Sequence, residues 1–141
     1  STVAPQSLTL FNTEEVQERS VAFAARLLAA GLNDSATIDK AFELALGRMP
    51  SSSERSTCLK HWQAATQEEQ GKRYKPKEFI NWTERTVMAE KTGEPYSFIE
   101  FMPAFRNYEP DTQMADVDAR TRGLSQVCLV VFNLNEFAYL D

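Results

Sequence analysis

Apolar residues recur at helical spacing over much of this chain. Val16, Ser20, Phe23, Ala24 and Leu27 share one face of a 3.6-residue period, while Glu18, Arg19 and Arg26 lie elsewhere. The start of this first helix is marked by Asn12 as N-cap with Glu15 three residues on, and Phe11 and Val16 fit a hydrophobic staple. Gly31 supplies a left-handed residue to end it. A second helix starts near Asp34 or Ser35, carries Ile38, Ala41, Phe42, Ala45 and Leu46, and closes at Gly47 before Pro50. A third opens with the Ser51-x-x-Glu54 capping box, runs through Cys58, Leu59 and Trp62, and turns polar towards Gln70 and Gly71. Connections this short make the three antiparallel neighbours.

Residues 72 to 115 break the pattern. Pro76, Pro95, Pro103 and Pro110 interrupt any helical period. Lys77 to Trp82 reads as one short helical turn. Arg85 to Lys91 and Tyr96 to Phe101, joined at Thr92–Pro95, read as a β-hairpin whose first strand alternates poorly. Phe98, Phe101, Phe105 and Tyr108 are the expected anchors of this excursion on the helices. A fourth helix begins near Asp116 or Asp118. Leu124, Val127, Cys128, Val131 and Phe132 form its stripe, and Leu129 and Val130 widen it until the helix looks apolar nearly all round, hence buried. The expected fold is mainly α: a compact bundle of about four helices with a long, partly β insertion between the third and fourth.

Composition narrows the functional classes. The 141 residues suit one domain over 1–141, and 43% hydrophobic with 25% charged is ordinary for a globular chain. A net charge of −5 argues against a nucleic-acid partner, since phosphate binding needs a clustered basic face. The basic run Lys72, Arg73, Lys75, Lys77 reads as a solvated loop. No stretch approaches the roughly 20 apolar residues of a membrane span, and no basic-then-apolar segment reads as a signal peptide. A start at Ser1 without Met has the look of a piece cut from a longer chain.

Three segments carry a family resemblance. STVAPQSLTLFN with FAARLL, then AFELALGRMPSSSE, then DVDARTRGLSQVCLVVFNLNEFAYLD together resemble the C-terminal domain of large planctomycete proteins known as domain of unknown function 1553. The resemblance spans nearly the whole chain, is weakest from Lys72 to Tyr108, and departs at Leu134, where the family has a small Ser. It implies the C-terminal portion of a larger uncharacterised domain in an exported bacterial protein, often with an upstream cytochrome-c-like module. It implies a periplasmic or extracellular home and, as partner, the upstream part of the same polypeptide or an envelope protein. It brings no catalytic residues.

Candidate chemistry is sparse. Asn133, Asn135 and Glu136 form a polar cluster at the end of the last helix, where the macrodipole opposes the Glu136 carboxylate unless an arginine (Arg19, Arg26 or Arg48) pairs with it. Glu109, Asp111, Asp116 and Asp118 crowd one loop, but they lack the EF-hand order, so helix capping in a solvated acidic loop is favoured over a cation site. Cys58 and Cys128 sit on apolar helix faces as buried thiols, and a Cys58–Cys128 bridge is open only to an oxidising compartment. His61 is the sole histidine, so a His-based metal site is not expected, and no cofactor is. Trp62 and Trp82 read as packing residues before sugar platforms. The leading reading is a non-catalytic structural or interaction module. A hydrolase acting on polysaccharide, with Glu136 or Asp111 as acid and base, is the second. An accessory domain of a cytochrome-type electron-transfer protein is the third.

Overall fold

A computed structural model describes residues 14–78, 82–102 and 111–136, with Asn135 and Glu136 described by backbone only. The chain divides into two compact units, one built from residues up to Pro76 and from Asp111 onward, the other from Lys77–Pro110. The first holds helices α1 (Glu14–Ala29), α2 (Asp34–Leu46), α3 (Ser52–Glu69) and α4 (Ala119–Glu136), with a 3-10 turn at Met114–Asp116 before α4. The second holds strands β1 (Trp82–Met88) and β2 (Pro95–Phe101). The fold is mainly α, with a β-hairpin between the third and fourth helices, as the hydrophobic pattern implied.

Local chemistry sets the helix limits. Asn33 Oδ1 accepts the Ala36 N–H at 2.8 Å to cap α2, and Gly47, at φ 69°, turns its own N–H back to Glu43 O to close it. At α3 the capping box is complete: Ser51 Oγ accepts from Glu54 N, and Glu54 Oε1 accepts from Ser51 N. Arg48 forks onto the same carboxylate with two 2.9 Å bonds. Arg48 first and the Ser51 amide next hold the Glu54 carboxyl at about 2. Replacing Ser51 with Ala should cost about 1 kcal/mol by urea unfolding, and a loss below about 0.3 kcal/mol would show the cap to be idle. The Phe11–Asn12 start expected for the first helix lies outside the described residues.

α4 is the central packing element. It lies against α1, α2 and α3, and Leu124, Val127, Cys128 and Val131 are sealed at 0% exposure. They meet Phe23, Leu27, Ile38, Ala41, Phe42, Cys58 and Trp62 in one core. Each large apolar side chain so enclosed contributes about 1.5–3 kcal/mol. The expectation of a helix buried on every side needs correcting: Val130 and Leu134 stand in solvent, because the three partner helices cover only one side. Its start is sharper than the sequence implied. Asp116 ends the 3-10 turn, while Asp118 Oδ1 accepts both N–H and O–H of Thr121, at 2.9 and 2.7 Å, as the cap.

The hairpin pairs Trp82 with Phe101 and Met88 with Pro95, antiparallel throughout. Its first strand begins three residues before the expected Arg85, and the turn runs from Ala89 to Glu94, closed by Ala89 N to Glu94 O with Gly93 at φ 71°. Trp82 therefore belongs to a strand, not to a helical turn. Phe98 and Phe101 are exposed rather than buried as anchors, and Phe105 and Tyr108 lie outside the described residues. Alternation still sorts the side chains: Trp82, Ile99 and Phe101 share one face with Met88 at its far end, all four exposed.

Candidate functional site

The residues singled out in the sequence do not converge on one site. Within the polar cluster, Asn133 has a buried Oδ1 that meets no donor among the described residues. The side chains of Asn135 and Glu136, and with them the expected arginine pairing of Glu136, lie outside the described residues. In the acidic loop Glu109 lies outside the described residues, and the other three carboxylates serve the backbone beside them: Asp111 accepts from Thr112 N, Asp116 from Gln113 N, and Asp118 caps α4. Bonds from Thr121 hold the Asp118 carboxyl below its ordinary range. Among the described residues no three His, Cys, Asp or Glu side chains are grouped to hold a metal ion. Cys58 and Cys128 are free thiols within the core, and burial pushes both upward, Cys128 further. His61 is exposed, and Trp62 is a core residue at 3% exposure.

A buried polar node not anticipated from the sequence joins α3 to the start of α4. Arg122 Nε donates to Glu69 Oε2 at 3.0 Å, with both side chains 9% exposed. Its Nη1 donates to Met114 O and Val117 O, and its Nη2 to Glu69 O and Lys72 O. A guanidinium has five N–H donors, so the set is fully used. Glu69 Oε2 also accepts the Tyr74 hydroxyl at 2.7 Å, and the Tyr74 ring lies 5.0 Å from the Arg122 guanidinium carbon. Burial pushes the Glu69 carboxyl up, but bonds from Tyr74, Lys72 and Arg122 outweigh it and leave it below its ordinary range. Arg122 and Glu69 are buried and bonded to one another and to backbone carbonyls, which makes the node a clasp between α3 and the start of α4.

Clefts on the helical unit, among them three lined by described residues, can meet another molecule. A cleft of about 450 Å³ opens beside Trp62, walled by Asp34, Gln63, Thr66, Gln67 and Arg120. A second, of about 330 Å³, lies between α1 and α2 over Phe23, Leu27 and Leu44, with Arg26 and Lys40 in its lining. A third, of about 310 Å³, borders Phe23 and Phe132, whose rings stack 5.4 Å apart, with Arg19, Arg26 and Asp111 around them. The first cleft has one carboxylate, Asp34, the second none and the third one, Asp111. Paired carboxylates, which acid–base hydrolysis of a glycosidic bond uses, occur in none of these three. Outside the helical unit, Trp82, Ile99 and Phe101 make one ribbon face an exposed apolar surface.

The described residues thus form a unit of four helices and, between the third and fourth in sequence, a two-stranded β ribbon. Residues 1–62 match the family described as protein of unknown function (DUF1553), a likeness confined to the first part of the chain. It extends from the first residue to Trp62 in α3. No curated protein and no solved structure matches the chain. No helix among the described residues is long and apolar enough to cross a membrane.

Proposed function

We propose that this chain is an interaction module of a larger exported protein, docking on the upstream part of its own polypeptide through the hairpin. The exposed ribbon face carries this reading. Trp82, Ile99 and Phe101 adjoin one another at 43, 59 and 68% exposure. Water is a poor neighbour for such a cluster, and contiguous apolar patches on soluble proteins mark contact sites. A two-stranded ribbon is also marginal by itself and offers unpaired strand edges to an extended segment. Export and the upstream partner rest on the family resemblance of the sequence.

The test separates docking from folding. Ile99→Lys with Phe101→Lys should abolish association with the upstream polypeptide supplied in trans, measured by calorimetry. Circular dichroism and the helical melting transition should stay as in the parent chain. Undiminished association would refute the ribbon as the contact, and recovery of the chain in the cytoplasmic fraction of its host would refute export.

A further inference from the structure

The cleft beside Trp62 has a chemistry of its own, independent of the ribbon. Its base is fixed: Trp62 Nε1 donates to Arg120 O at 3.0 Å, and the Arg120 guanidinium carbon lies 4.4 Å from the centre of the indole. That guanidinium is held in turn by Asp34 Oδ1 at 2.6 Å, a bond that ties α4 to the first turn of α2. Gln63 and Gln67, one helical turn apart on α3, complete the wall. Both are exposed, and neither amide side chain takes part in a hydrogen bond among the described residues. Each therefore presents two donors and an acceptor to the cleft.

We infer that this cleft binds a neutral saccharide. Its charges, Asp34 and Arg120, cancel, so nothing in it selects a phosphate or another net anion. Its walls are planar polar groups, and carboxamide, carboxylate and guanidinium can each make paired hydrogen bonds to adjacent hydroxyls. Leu59 and Trp62 are its apolar lining, a small surface suited to the C–H face of one sugar ring. A volume of about 450 Å³ falls within the usual range for small-ligand sites. The site binds without cleaving: Asp34 is its one carboxylate and is already paired, whereas glycoside hydrolysis uses two.

Titration of the isotopically labelled chain with cellotriose, xylotriose and mannotriose, followed by nitrogen–proton NMR, tests the inference. At least one sugar should shift the Trp62 indole N–H and the Gln63 and Gln67 amide signals, saturating at about 1–10 mM, a weak affinity typical of a single shallow site. Gln63→Ala with Gln67→Ala should weaken that binding at least tenfold. Both residues are exposed, so the melting temperature should hold. Silence of these signals with all three sugars at about 20 mM, well above that range, overturns the inference. So does binding unchanged in the double variant, and so does saturation by orthophosphate or a short polyalanine peptide in place of sugar.

Discussion

Replacing Gly123 with Ala should destabilise the helical unit by about 2–3 kcal/mol, the upper range for overpacking, and lower its melting temperature by roughly 5–10 °C. Helix propensity alone gives the opposite sign, since Ala exceeds Gly by about 1 kcal/mol inside a helix. Geometry decides against propensity. A Cβ at Gly123 would stand 2.3 Å from Thr66 Oγ1, 2.8 Å from Thr66 N and 2.9 Å from Thr66 Cα. The hydroxyl can be removed, but the backbone of α3 cannot step aside without carrying Trp62 and Glu69 with it. Gly123→Ala combined with Thr66→Ala should therefore recover only part of the loss. A single variant as stable as the parent in thermal unfolding would mean that α3 and α4 do not approach this closely.

Much of the bundle is legible in the sequence because its signals are local. Ser51 and Glu54, Gly47, and the Ile38–Ala41–Phe42 stripe each act within one or two turns, and the structure places them where their spacing implies. The ribbon is less legible. Glu84, Arg85 and Thr86 give its first strand little apolar alternation, so Trp82 looks detached from a strand that in fact begins with it. The α4 surface was misjudged for a related reason: Val130 and Leu134 are as apolar as their buried neighbours, and composition does not record that three partner helices cover only one side. The cleft beside Trp62 was illegible, since Asp34 and Arg120 meet across 86 positions of sequence. Gly123 did carry a signal. A glycine inside a helical run usually has a packing reason, and here that reason is Thr66.

Arg122 shows the other limit of sequence reading, because nothing local in DARTRG marks its second arginine, which makes five hydrogen bonds in the fold. Arg122→Met should cost about 3–5 kcal/mol, the range for removing one partner of a buried ion pair. The loss has two parts. Glu69 keeps only Tyr74 and Lys72, and the carbonyls of Met114 and Val117 lose the donor that folds the 3-10 turn onto α4. Arg122→Lys should recover little, since three donors from a point charge cannot span these acceptors. Arg122→Met with Glu69→Leu should return to within about 2 kcal/mol of the parent, because an apolar pair replaces a buried charged one at little net cost.

Acid provides a second readout of the same clasp. The Glu69 carboxyl lies lower in the folded chain than its ordinary 4.5, so its contribution is complete above that pH and is lost as pH falls through the folded value. Glu69→Gln should flatten that part of the acid profile in urea unfolding followed from pH 6 downward. An Arg122→Met variant losing less than about 1 kcal/mol, the worth of an exposed pair, would show that the clasp closes on the protein surface and not within it.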